Sequence, residues 1–309
     1  NICAIDQTGK PDMNRSELLS EWTTPGFDTS KSVRIAETSD GKIVGYIEVW
    51  DTDALPVANW VWARVHPTFE GLGIGTELMY WAEDRLQETF DRVPEDLRVT
   101  FRAGSLSTHS PTKNLLEDLG MTLNRFFWRM VIDLQKKTAA PVWPEGISLK
   151  TFAEVNDSAA VYRAFNDAFR DHWGHVEQPQ AKGVAKWEHW IASDEVFDPS
   201  LWFVAVDGDS IAGICLCRKT EYEDPDMGWV NVLGVRRPWR KQGLGLAMLQ
   251  HAFGKFRQLG KLRAGLGVDA NSLTGATRLY EKAGMHMARE LHIYEKELRP
   301  GRDISRHEL

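Results

Sequence analysis

No apolar run in this chain approaches the roughly 18 residues that a membrane-spanning helix needs. No stretch near its beginning has the basic, apolar and small-residue sections of a secretory signal either. Cysteine is scarce: Cys3, Cys215 and Cys217 give an odd count, one C-x-C spacing and no second pair to complete a zinc site or a disulfide framework. The expectation is a cytoplasmic protein with reduced thiols and no bound metal, in which Cys215 and Cys217 alternate on one face of a strand. There is no excess of positive charge, since 37 Lys and Arg stand against 44 Asp and Glu for a net −7. That balance argues against a nucleic-acid-binding or anionic-membrane surface. A starting methionine is missing as well, the first residue being Asn1.

What is present suffices for two cores. The chain has 309 residues, 42% of them apolar and 26% charged, and folded domains cluster near about 150 residues. The most informative stretch is VLGVRRPWRKQGLG, residues 232–245, where a β-branched run breaks at Pro238 and leads through Arg240-x-x-Gly243-x-Gly245 into an amphipathic segment. Leu246, Leu249, Phe253 and Phe256 recur there at steps of three and four, the spacing of a helix packed on a sheet. Strand, glycine turn and helix start together make an anion grip. Glycine lets the backbone approach closely, and the unpaired N–H groups of the first helical turn point along the positive end of the helix dipole. Arg236, Arg237, Arg240 and Lys241 place four positive charges around the same turn, so its partner is expected to be a compact polyanion.

The pattern occurs twice. VHPTFEGLGIGTEL at 65–78 repeats 235–248, with Gly73 and Gly75 lying 170 residues before Gly243 and Gly245. LLEDLGM at 115–121 repeats LYEKAGM at 279–285 with an offset of 164. Two matches in the same order at nearly one offset mark a duplicated domain, with QKKTAAPVWPE at 135–145 as the connection. The expected limits are 1–137 for the first copy and 146–309 for the second. In the second copy, strands are expected at 147–151, 202–206, 211–220, 228–235, 263–268 and 291–298, and helices at 158–169, 184–192, from 243 onward and at 275–283. In the first, strands are expected at 33–37, 43–50 and 58–65, with the glycine-loop helix running to about 86. An initial strand is missing, and its equivalent would precede Asn1, which implies a trimmed start. The class is α/β, with a mixed α+β sheet in each copy.

The combination of Arg240-x-x-Gly243-x-Gly245, Asn271 after the next strand and Tyr280 in the helix beyond resembles the GNAT superfamily of acyl-CoA-dependent N-acetyltransferases in its tandem form, two fused copies covering nearly the whole chain. A dinucleotide site would need a third glycine, and position 248 is Met. The resemblance implies acetyl-CoA (coenzyme A) as cosubstrate, with Arg240, Lys241, Gln242, Gly243, Leu244 and Gly245 around the pyrophosphate. It also implies that the strand ending at Val235 splays from its neighbour at 265–268, so that pantetheine bonds Leu233 and Val235 like a short added strand. Tyr280 is the matched general acid, protonating the departing thiolate. Its stripe with Ala276, Leu279 and Ala283 also suits a core residue. Asn271 either holds cofactor amides or caps the following helix.

For the proton of the incoming amine, the sequence offers Glu221, Glu223 and Asp224, of which Glu221 is the candidate base; a run of this kind also suits a solvated loop. His172, Trp173 and His175, with Trp187 and Trp190 near, crowd the connection between two helices and would wall an acceptor pocket for a small amine, or else pack between domains. The first copy departs at each chemical position, with Glu70 for Arg240, Leu72 for Gln242, Ser107 for Asn271 and Leu116 for Tyr280. A carboxylate about 4 Å from a phosphate costs roughly 4 kcal/mol at an effective dielectric of 20, before screening. The expected function is therefore N-acetyl transfer to a small-molecule amine by the second copy, as monomer or homodimer, with the first as a degenerate support. A non-catalytic acyl-CoA sensor and a peptide N-terminal acetyltransferase are the other classes.

Overall fold

A computed structural model describes residues 1–136, 138–272 and 274–305. Lys137 and residues 306–309, which bound the expected copies, lie outside the described residues. In chain order the helices are α1 (Ile2–Thr8), α2 (Arg15–Trp22), α3 (Thr29–Ser32), α4 (Ile74–Gln87), α5 (Ser110–Asp118), α6 (Phe152–Val155), α7 (Ser158–Phe169), α8 (Gln180–Ser193), α9 (Leu244–Gln258) and α10 (Ala276–Lys282). The strands are β1 (Val33–Glu37), β2 (Ile43–Trp50), β3 (Ala58–Val65), β4 (Val99–Leu106), β5 (Thr122–Asp133), β6 (Ile147–Thr151), β7 (Trp202–Asp207), β8 (Ser210–Arg218), β9 (Met227–Val235), β10 (Arg263–Asp269) and β11 (His286–Arg299). Residues 134–146 form no regular element, in keeping with a connection.

Two compact units result, but they do not follow the linear limits 1–137 and 146–309. Asn1–Phe126 joins Glu290–Ser305 in the first, and Phe127–Arg289 forms the second. The last strand of each repeat has changed places. In the first unit the strand order is β1-β2-β3-β4-β11, and in the second β5-β10-β9-β8-β7-β6. β5 runs antiparallel to β10 from Phe127↔Asp269 to Asp133↔Arg263, and β11 runs antiparallel to β4 from Leu291↔Leu106 onward.

Buried charge and apolar side chains account for these partners. Glu295 of β11 is 5% exposed and lies opposite Arg102 in register. Arg102 Nε donates to it at 2.9 Å and Arg98 at 3.1 Å, so that strand placed elsewhere would carry an uncompensated buried carboxylate. In β5, Met130 and Ile132, with Leu134 just beyond, enter the core of the second unit.

That core has a layer on each side of its sheet. Against α9, Leu244, Met248, Leu249, Phe253 and Phe256 pack on Phe203, Cys215, Cys217, Val230 and Leu266. Each phenylalanine contributes roughly 1.5–3 kcal/mol by burial. Against α7 and α8, Val161, Tyr162 and Trp187 pack on Trp202, Val204, Ile214 and Leu216. The first unit repeats the α9-side layer with α4, where Leu78, Met79, Ala82 and Leu86 cover Ile47, Val49, Val61 and Phe101. Parallel β3–β4 and β9–β10 pairs within otherwise antiparallel ladders make the strand arrangement of each unit mixed.

Candidate functional site

The loop after β9 has a backbone built for an anion. Gly243 adopts φ 88° as N-cap of α9, a conformation costly to any residue with a Cβ. Lys241 sits at φ 62° without being glycine, where the first unit has Gly71 at φ 74°. Gly245 meets a different demand: a Cβ there would lie 3.1 Å from Leu279 Cδ1, so glycine lets α9 and α10 close up. The N–H groups of the first turn of this 15-residue helix face the loop.

The three arginines are drawn inward. Arg240 Nε donates to Val235 O at 3.0 Å, its Nη2 to Ala168 O at 2.9 Å and its Nη1 to Asp171 Oδ2 at 2.5 Å. Arg237 grips the other side of Asp171, and Arg236 donates to Asp167 at 2.7 Å. Asp171 is 1% exposed. Hydrogen bonding from Arg237 above all, against the opposing effect of burial and with Arg240 assisting, holds its carboxyl far below the usual range. Arg240 thus braces the loop against the end of α7, while exposed Lys241 and Gln242, whose Nε2 donates to Pro238 O at 3.0 Å, flank the helix start. The aromatic crowding at His172, Trp173 and His175 gives no sign in the sequence of this role for the aspartate just before them.

The sheet opens beside this loop. β9 and β10 pair in parallel from Met227↔Arg263 only as far as Val230↔Leu266. On the other edge of β9, the pairs Leu216↔Val232 and Cys217↔Val230 leave Asn231 as an extra residue, a β-bulge at the point where the strands part. Arg236 N donates to Ala212 O across β8 at 3.0 Å. By alternation Leu233 and Val235 turn their backbone groups to the open edge. Since the Val235 carbonyl is taken by Arg240, Leu233 N–H, Leu233 C=O and Val235 N–H remain as an extended set of donors and acceptor. Those groups, with the amides of the helix start, fit an amide-bearing arm that ends in a pyrophosphate.

Tyr280 lies in the α9-side core with Cys215, Leu233 and Val268, and is 7% exposed. Burial, and secondarily the neighbouring Cys215, raise its phenol well above the ordinary value, so it carries its proton at neutral pH. Asn271 is exposed, its N–H bonded to Asp269 Oδ1 at 2.9 Å. The N-cap of α10 is Gly275, so capping is not what Asn271 does.

The acceptor candidates fall in different settings. His172 packs its ring 4.2 Å from Phe169, and burial, then Arg240, push its pKa down to about 4. Trp173 and His175 occupy the same turn, half-buried, with His175 N donating to His172 O at 3.1 Å. Trp187 and Trp190 instead belong to the core under α8. Glu221 is engaged in a charge network, its Oε2 3.0 Å from Arg129 Nη2. Glu223 bridges Arg129 at 3.6 Å and Arg289 at 2.8 Å, and Arg129 lies over the Trp229 ring at 4.6 Å. Arg129 comes from the exchanged strand β5, so its proximity could not be inferred from linear order.

The fold, with its parted sheet and glycine turn, is that of an acyl-CoA-dependent acyltransferase. The chain belongs to the acetyltransferase (GNAT) family, whose model matches residues 7–98 and 158–285, one region in each repeat. It is an N-acetyltransferase of tandem GNAT organisation, with acetyl-CoA as cosubstrate. It is 32% identical to a mycothiol acetyltransferase of Streptomyces scabiei over 247 residues, covering 78% of this chain and 72% of that protein. A GCN5-related N-acetyltransferase from Sphaerobacter thermophilus superposes with a TM-score of 0.76 at 34% identity, over 98% of this chain and 92% of its own. A tandem GNAT protein from the clavulanic acid biosynthesis pathway shares the fold, with a TM-score of 0.69 at 13% identity over 97% and 94% of the two chains. Among the described residues no helix is long and apolar enough to cross a membrane.

Proposed function

We propose that the chain transfers an acetyl group from acetyl-CoA to a small primary amine, that the second unit carries the reaction, and that the first is a degenerate copy that supports it. The observation that carries this reading is the coincidence, in the second unit, of the β9–β10 opening, the bulge at its apex and the buried Tyr280 beside it. The loop from Arg240 to Gly245 and the start of α9 would hold the pyrophosphate through backbone amides, with Lys241 adding charge. Leu233 and Val235 would fix the arm, and Asn271 would meet its amides at the mouth of α10. Tyr280 then stands where the thioester sulfur arrives and donates its proton as sulfur leaves, a contribution of typically 10²–10⁴-fold.

Aromatic surroundings of His172, Trp173 and His175 favour a small acceptor over a peptide, and His172 stays neutral at pH 7. Glu221, held by Arg129, is a carboxylate through which the amine's proton could leave by way of water. Mycothiol acetyltransferases are among the similar proteins, so the acceptors of such enzymes are among those to try first. Thiol release from acetyl-CoA, measured across small primary amines and free peptides, tests the reading. Release with small amines alone is expected. Release only with peptides, or binding of acetyl-CoA with no release, would replace it.

A further inference from the structure

Asn231 carries the only charged or amide side chain between Met227 and Val235, and it is the extra residue of the bulge where β9 leaves β10. Val230 and Leu233 both pack in the α9-side core, whereas Val232 packs under α7 and α8. Following Val230, Asn231 therefore turns away from the α9 side, as the paired residues of a bulge do. It is half-buried, and among the described residues no hydrogen bond reaches its amide. Across the opening stands Gly267, one step past the last β9–β10 pair. Ala264, Leu266 and Val268 face the α9 side, so Gly267 faces as Asn231 does, and a Cβ there would meet nothing within 4 Å. An uncommitted amide thus borders open space at the apex, on the side of the sheet opposite Tyr280.

We infer that Asn231 orients the acceptor: its Oδ1 accepts an N–H of the incoming amine and aims the nitrogen lone pair at the acetyl carbon, a role that rests on the acetyl-transfer reading. The amine nitrogen bonds that carbon as the carbon–sulfur bond breaks. Sulfur takes the Tyr280 proton, and the amine's proton passes to water, from which Tyr280 is reprotonated. The amide moves no proton, and attack and departure are served from opposite faces of the parted sheet.

The test compares wild type with Asn231→Ala and Asn231→Asp, measuring thiol release with 2-phenylethylamine and glucosamine as acceptors and acetyl-CoA binding by calorimetry. In Asn231→Ala, kcat/KM for the amine should fall about tenfold to a hundredfold, the range for a hydrogen bond to a charged or charging group. The loss should lie chiefly in the amine KM, with the acetyl-CoA Kd within twofold. Asn231→Asp keeps an accepting oxygen and should stay within about fivefold of wild type. An Asn231→Ala enzyme within threefold for the amine, or a loss confined to acetyl-CoA binding, overturns the role of Asn231 alone. Wild type without amine-dependent release from either acceptor overturns it together with the acetyl-transfer reading.

Discussion

The two units carry one motif in two states. In both, a strand, a glycine turn and a helix follow in order, and Gly73 at φ 82° matches Gly243 at φ 88°. In both, the central parallel pair stops early, at Val61↔Ala103 in the first and Val230↔Leu266 in the second. The difference lies in what surrounds the opening. β3 pairs with β2 without a register shift, whereas β9 bulges at Asn231. Leu116, 2% exposed, fills the place of Tyr280, and Glu70, 3.7 Å from His109, stands where Arg240 braces its loop. A parted sheet and a glycine turn are therefore properties of the fold. The bulge, the phenol and the arginine brace set the second unit apart.

The sharpest way to break this comparison is to remove the phenol. Tyr280→Phe should lower kcat about 10²-fold or more while acetyl-CoA affinity stays within twofold, measured by thiol release and calorimetry. A kcat within twofold of wild type would take Tyr280 out of the mechanism. Asp171→Ala comes next. It strips Arg237 and Arg240 of a shared buried partner and should cost about 3 kcal/mol, the low end for a broken buried pair because Arg237 is half-exposed. The result would be a lower Tm and weaker acetyl-CoA binding. An unchanged Tm would show that the brace carries no stability.

Acid titration separates two contributions. Asp171 has its native pKa depressed, so its stabilisation is complete above the unfolded value of about 4 and is lost as pH falls further. His172 is also depressed, to about 4. Its share is complete above an unfolded value of about 6.5 and is lost between there and about 4. Denaturant unfolding should show stability declining below pH 6.5 in wild type and a shallower decline in His172→Phe. An identical slope in both would sink the assignment. The smallest effect is expected from repairing the first unit: Leu116→Tyr with Glu70→Arg should leave kcat unchanged within twofold, because β3 lacks the bulge. A measurable second activity would show that the bulge is dispensable.

Much of the fold was legible in residue order. Strand limits such as 33–37, 43–50, 58–65 and 147–151, and helix 158–169, coincide with the elements found, because alternation and helical spacing are local signals. The exchange of β5 and β11 was not legible, since strand partners are selected by distant contacts such as Glu295 with Arg102. At the site, the glycine turn could be read from spacing, and the burial of Tyr280 from its helical stripe with Ala276, Leu279 and Ala283. The inward turn of Arg240 depended on Asp171, 69 residues away in the chain. Asn231 did leave a trace, an amide within an apolar strand, whose meaning appears only once the register shift is known.

The contrast between the units reduces to how many acyl-donor sites the chain has. Calorimetric titration of acetyl-CoA into the full chain should give one high-affinity site, abolished when the open edge of β9 is disrupted by Leu233→Pro and retained when the matching residue of β3 is changed by Ala63→Pro. Two equal sites per chain, or loss of the tight site in Ala63→Pro alone, would contradict the account.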